Sequence, residues 1–328
     1  MVYWRYIYVV AIIIFATNNA LGQDLSFSQF FANRLYLNPA YVGHPKHHRA
    51  RMVFRNQWLI RESPYMSYGA SYDRYYINQN SGVGINIIND MQGFGSLNWL
   101  TADILYSYTV QVAYNAQIRG GIQAGGIFKS QNTSNLVFPD MIDPTGEIVG
   151  SPGFSGDSKL LPDFAAGVVG EWGIVYGGFA AHHLAEPIDS ETQGDKINLL
   201  RKYTGHLGCN INLYKRYFFR KSLILSPNVI YQQQGNFRQI NIGTYISHQY
   251  FVAGLWLREN IGYSSHTFIF VAGYHDDKYS ISYSYDFSLL EGGFRGLNTS
   301  SHEVTFGMNF QYKEWSRKKI SPIKSPKF

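Results

Sequence analysis

Charge is scarce in this chain, and so is cysteine. Only 15% of its 328 residues are Asp, Glu, Lys or Arg, against roughly a quarter in an ordinary soluble domain. The single cysteine, Cys209, excludes an intramolecular disulfide and makes a thiolate metal centre a poor candidate. Beyond the N-terminus there is no long apolar run, which excludes a bundle of membrane helices, since each needs about 20 mostly apolar residues. The net charge of +6 is modest and forms no RNA- or DNA-binding pattern. No nucleophile elbow occurs, and no Ser, His and Asp stand at a spacing that would assemble a catalytic group, so no catalytic residue, metal or cofactor is assigned. His44, His47 and His48 crowd a short basic stretch without a carboxylate or Cys at ligand spacing, and read as a solvated loop. His182 and His183 are adjacent on an expected strand, where they would point to opposite faces and could not share one ion.

What the chain has in quantity is aromatic residues and glycine, with 26 Tyr, 22 Phe and 32 Gly. Mean hydropathy is nonetheless −0.19. A transmembrane β-barrel hides its apolar residues in every second position, so its average stays near neutral. The N-terminus reads as a secretory signal: Arg5, an apolar core from Tyr6 to Ala16, and Ala20-Leu21-Gly22 as a small-x-small site predict a mature start at Gln23. A retained anchor helix is the alternative, although the apolar run is short for a span and Thr17-Asn18-Asn19 closes it.

Period-two alternation then recurs along the chain. It is clear in Ala50, Met52 and Phe54, in Leu100 to Tyr108, and in Tyr279, Ile281, Tyr283, Tyr285 and Phe287 against Ser and Asp. Fourteen such runs can be counted from Arg49–Trp58 to Ser301–Tyr312. In the last, Val304, Phe306, Met308 and Phe310 oppose Glu303, Thr305, Gly307 and Asn309. An even count of strand-length runs predicts an all-β, antiparallel up-and-down transmembrane barrel of about 14 strands. Closure requires the first and last runs to pair, because a bare strand edge in lipid leaves backbone groups unpaired. Odd-numbered connections are expected to be long and outward, among them 130–160, 185–201 and 289–300, and even-numbered ones short and periplasmic. A soluble β-sandwich is the alternative, with alternation set by a core rather than by lipid.

Several stretches resemble a known family. Phe27-Ser28-Gln29-Phe30 and Leu35-Tyr36-Leu37-Asn38-Pro39-Ala40-Tyr41-Val42-Gly43 look like the N-terminal signature of the PorP/SprF outer-membrane proteins of type IX secretion and gliding. Arg55-Asn56-Gln57-Trp58, Gly82 to Asp90, Pro162-Asp163-Phe164 and Tyr283-Ser284-Tyr285-Asp286 are similar to later strands of that family, in the same order. The ending Ser325-Pro326-Lys327-Phe328 is similar to a tail in which Cys and Arg are common, with Ser and Lys in their places here. The resemblance implies an outer-membrane role. One form of it is anchoring or presenting adhesin-type secreted C-terminal domains at the cell surface; the other is coupling the membrane to periplasmic secretion or peptidoglycan-associated proteins. A diffusion channel is the alternative.

The expected organisation is a signal peptide over 1–22, a plug-like segment over 23–48, a barrel over 49–312 and a basic periplasmic tail over 313–328. The plug segment carries Phe27, Phe30, Tyr36, Asn38, Pro39 and Tyr41, whose aromatics need burial while Pro39 forbids a regular strand. Arg51, Arg55, Arg119, Asp103 and Glu171, with Asp73, Asp286 and Glu303, are expected on the lumen face. Pro139 and Asp140 in the longest outer loop, and Lys318, Lys319 and Phe328 in the tail, are expected partner contacts. A solvated terminus is the alternative for the tail.

Overall fold

The computed structural model describes residues 24–44, 47–58, 65–93, 95–132, 141–143, 158–192, 195–213, 223–262, 265–290, 300–311, 323 and 325–326. Fourteen antiparallel strands close into a barrel. In chain order these are β1 (His47–Gln57), β2 (Tyr65–Tyr76), β3 (Ser81–Gln92), β4 (Leu97–Ala113), β5 (Ala116–Gln131), β6 (Ser158–Trp172) and β7 (Val175–His182). Next come β8 (Lys202–Cys209, resumed at Ile211–Asn212), β9 (Leu223–Gln234), β10 (Phe237–His248), β11 (Phe251–Ile261), β12 (Ser265–His275), β13 (Tyr279–Leu290) and β14 (Ser301–Gln311). Each strand pairs with its sequence neighbours, and β1 pairs with β14 to remove the last edge.

The alternation of the sequence becomes two faces. On β14, Val304, Phe306 and Phe310 point outward while Glu303, Thr305 and Asn309 are buried. The same parity runs round the wall, and outer positions such as Ile104 and Leu160 are 69% and 70% exposed. A continuous belt of this kind is stable only against hydrocarbon, because each Å² of apolar surface left in water costs about 25 cal/mol.

Three boundaries depart from the sequence reading. Strand β8 begins at Lys202, before the alternation of Leu207, Cys209, Ile211 and Leu213 that is visible in the sequence, because Gly205 and Thr204 hide its first half from a hydrophobicity pattern. His47 and His48 open β1 rather than lying in a loop, and His48 Nδ1 meets the Tyr72 hydroxyl at 2.8 Å. The connection 213–222 is as long as 291–300, so the inside–outside asymmetry rests on 132–157 and 183–201. The second of these carries a small hairpin, Ile188–Thr192 with Asp195–Asn198.

Candidate functional site

The inward face of the barrel meets the segment that precedes β1. That segment contains one helical turn, α1 (Arg34–Leu37), followed by a 3-10 turn over Pro39–Tyr41. Asn38 caps the second turn, its Oδ1 accepting from Ala40 N–H, and Pro39 stands at the first position, where its missing N–H is no loss. The other end of the Asn38 amide donates to the carbonyls of Val168 on β6 and Phe179 on β7, at 3.2 and 3.1 Å. Phe27, Phe30, Phe31, Leu35, Leu37, Ala40, Tyr41 and Val42 are all buried. Full burial of each large side chain in this set contributes about 1.5–3 kcal/mol.

Their partners are inward aromatics of the wall. Phe30 lies 5.0 Å from Trp256 on β11, and Phe31 packs edge-on against Tyr176 and Tyr245. Tyr41 shares a hydrogen bond of 2.9 Å with His206 on β8. Close approach depends on glycines: a Cβ on Gly121 would lie 2.5 Å from Ala40 Cα, and one on Gly84 2.6 Å from Val42 Cγ2.

Two polar clusters fix the start of the segment, and a third group of contacts holds its end. In the first, Ser28 N–H and Gln29 N–H donate to the two carboxylate oxygens of Glu303, at 2.7 and 3.1 Å. Arg55 bridges Glu303 and Asp286 at 3.0 and 2.8 Å, and also donates to Ser28 Oγ. Arg258 completes the set at 3.5 Å from Asp286 and donates to the Phe27 carbonyl. Two guanidinium groups thus face two carboxylates, and no net charge is stranded in the interior. Nearer the chain termini, Asp73 pairs with Arg49 at 2.7 Å and accepts from Gly43 N–H, while Arg119 donates to the carbonyls of Val42 and Gly43.

The second cluster lies toward the same end of the barrel as the first, where β7 passes into the connection before β8. Asp24 accepts from His183 at 2.7 Å and lies 3.6 Å from Lys202; the second His183 nitrogen meets Asp163 at 2.9 Å. Burial alone would push the His183 imidazole down, but Asp24 on one side and Asp163 on the other lift it to about 10. Burial would likewise raise the Asp24 carboxyl, yet the His183 and Lys202 charges hold it well below the usual carboxylate range. Both histidines of the 182–183 pair are buried, contrary to the opposite-face reading. The strand stops at His182, and His183 takes φ = +56°, which turns its ring back inside. A recess of about 700 Å³, mouth included, opens beside this cluster between Asp90, Trp99, Asp103, Lys129 and Lys202.

The structure therefore brings Phe27, Phe30, Tyr36, Asn38, Pro39 and Tyr41 together inside the ring of strands. Arg55, Arg119 and Asp103 are buried on the inner face; Arg51 and Glu171 are half-buried there, bonded to Asn309 and Gln117 respectively. Pro139, Asp140, Lys318, Lys319 and Phe328 lie outside the described residues. The described part of the tail does not extend away from the barrel: Ile323 joins the aromatic core, and the Pro326 carbonyl accepts from Arg34 at 3.1 Å. Sequence reasoning missed Arg49, Lys202, Trp256 and Arg258. Trp256 had a legible signal, since it sits at the polar parity between Leu255 and Leu257, where a water-filled lumen has no use for an indole.

A family model described as the type IX secretion system membrane protein PorP/SprF matches residues 19–308. Among solved structures, a Pseudomonas aeruginosa FadL homologue is 13% identical, with 84% of this chain and 93% of that one covered and a TM-score of 0.44. The Acinetobacter baumannii outer membrane protein Omp33 is 6% identical, covering 80% and 99%, also with a TM-score of 0.44. No curated protein sequence matches.

Proposed function

The chain belongs to the PorP/SprF family of type IX secretion system membrane proteins, and from that premise we propose that it anchors a secreted protein's C-terminal domain at the cell surface. The barrel is the outer-membrane platform, and the outer connections 132–157 and 183–201 are the surface that holds the client. The segment from Asp24 to Gly43 acts as a plug, and the platform conducts nothing of its own.

The occupied interior carries this reading. The segment is tied to β14 through Glu303, to β6 and β7 through Asn38, to β8 through Tyr41 and to β2 through Gly43. A diffusion channel needs a continuous polar path, whereas here Phe30, Phe31 and Trp256 form an apolar core across the ring. Affinity purification from native outer membranes, with identification of every retained protein, tests the proposal. A secreted protein held through its C-terminal domain is the expected result. Large open-channel conductance from a preparation that retains no secreted protein would overturn it in favour of a porin.

A further inference from the structure

The described part of the C-terminal tail sits inside the barrel mouth at which β14 ends. Ile323 is buried in the same cluster as Phe31, Tyr176 and Tyr245. Two donors from different parts of the fold meet the backbone just beyond it. The Arg34 guanidinium on α1 donates to the Phe31 carbonyl at 2.8 Å and to the Pro326 carbonyl at 3.1 Å. Asn210 stands in the gap between the two halves of β8, which ends on the same side of the barrel as β14. Its amide donates to the Ser325 carbonyl at 3.4 Å, while its Oδ1 accepts from Ser226 on β9 at 2.7 Å. The tail is thus bonded both to the segment before β1 and to the wall.

The tail sequence suits such a seat. Ser321-Pro322-Ile323-Lys324 is followed by Ser325-Pro326-Lys327-Phe328, so each proline restricts its own φ and keeps the serine before it out of the helical region. A chain of this kind is extended in advance, has carbonyls that need outside donors, and loses little freedom on docking. Aromatic-lined grooves are common receptors for proline-bearing extended segments. The described hold on Ile323, Ser325 and Pro326 is two hydrogen bonds to carbonyls and one buried aliphatic side chain. The segment before β1 is instead fixed through the buried carboxylates of Asp73, Asp286 and Glu303. We propose that this mouth is a binding site for an extended, proline-bearing peptide, and that the chain's own tail is its resident, exchangeable ligand. The seated tail latches α1 to β8, and a second polypeptide of the same pattern competes with it. None of this depends on what the outer connections hold.

The test uses the full-length protein and a chain ended at residue 320, both in detergent, with a fluorescein-labelled peptide of residues 321–328 followed by anisotropy. The last strand ladder ends at Gln311, so the shortened chain keeps the whole ring. It is expected to bind the peptide saturably. Full-length protein should bind it at least ten-fold more weakly, because a tethered ligand competes at an effective concentration on the order of millimolar. The peptide carrying Ile323→Asp should bind the shortened chain at least ten-fold more weakly than the unaltered one. Full-length Ile323→Asp, whose own tail no longer seats, should take up the unaltered peptide as the shortened chain does, which keeps the test decisive if the shortened chain folds poorly. Gel migration of unheated samples reports that each barrel is intact. Equal binding by wild type and the shortened chain overturns the proposal. So does equal binding of a scrambled peptide of the same composition, which would mean attraction by charge alone. Absence of binding by both altered proteins, each migrating as folded, overturns it as well.

Discussion

Arg55 and Glu303 stand directly opposite one another across the seam between β1 and β14, with Nη1 and Oε2 3.0 Å apart. The pair that closes the barrel is therefore also the pair that holds the N-terminal segment, since Glu303 accepts from Ser28 and Gln29 with both its oxygens. Removing one member leaves a buried charge short of a partner. Glu303→Met is expected to destabilise the barrel by about 3 kcal/mol, because an uncompensated buried charge costs more than the intact pair contributes. The double variant Arg55→Met with Glu303→Met leaves Arg258 to neutralise Asp286, and should be more stable than Glu303→Met alone. Urea unfolding in micelles, read by gel migration of unheated samples, measures the difference; a double variant weaker than the single one would contradict the charge-balance account.

Gly121 tests the fit between wall and segment. A methyl there overlaps the Ala40 backbone, which cannot swing aside as a flexible side chain would. Gly121→Ala should cost about 1–3 kcal/mol, the usual range for overpacking. The effect should fall on the segment rather than the wall, because the β4–β5–β6 ladder makes no use of the inward Cβ. Limited proteolysis is expected to cut between Asp24 and Gly43 in the variant at protease levels that leave wild type whole. Gly120→Ala, where a Cβ meets nothing within 4 Å, is the matched control.

The wall of the barrel was almost wholly legible, because lipid outside and polar groups inside impose a period of two that composition cannot disguise. Strand β8 shows where that signal fades: Thr204, Gly205 and Gly208 pack against neighbours without adding to hydrophobicity. The interior was legible only in outline. Pro39 and the aromatics around it announce a compact non-strand segment in need of burial, yet which strand each contacts depends on barrel register, which no local pattern carries. The Ser28, Arg55, Asp286 and Glu303 cluster joins residues up to 275 positions apart, and sequence offered Arg55, Asp286 and Glu303 only as separate inward charges and Ser28 only as part of the pre-barrel segment.

The outer polar cluster gives a pH dependence with a definite sign. His183 is raised from 6.5 to about 10, so its contribution is complete below 6.5 and is lost as pH rises through 10. Asp24 is depressed from 3.8, so its contribution is complete above that value and fades as pH falls further. The pairing should hold the start of the segment between roughly pH 4 and pH 10 and release it on either side. In His183→Gln the alkaline release should be smaller, since Lys202 is then the cation left beside Asp24. Amide hydrogen exchange over residues 24–30, compared between neutral pH and pH 10.5 after correction for the intrinsic rate, reads this directly. An unchanged protection factor in wild type would show that the ion pair does not hold the segment.

Deletion of Asp24–Ala40 separates a plug from a structural filler. The segment covers Trp256, Tyr245 and Tyr176, and its loss leaves those groups facing one another across an opened lumen. The wall keeps its complete hydrogen-bonded ring, because every strand ladder, including the β1–β14 seam, is made without the segment. Arg55, Arg258, Asp286 and Glu303 also remain mutually neutral and become solvated, which lowers the cost of their burial. The deleted protein is thus expected to insert as a barrel and to raise single-channel conductance in planar bilayers from near zero to a steady open level. Conductance equal to that of wild type, from a barrel that still migrates as folded, would mean that the segment does not close the pore.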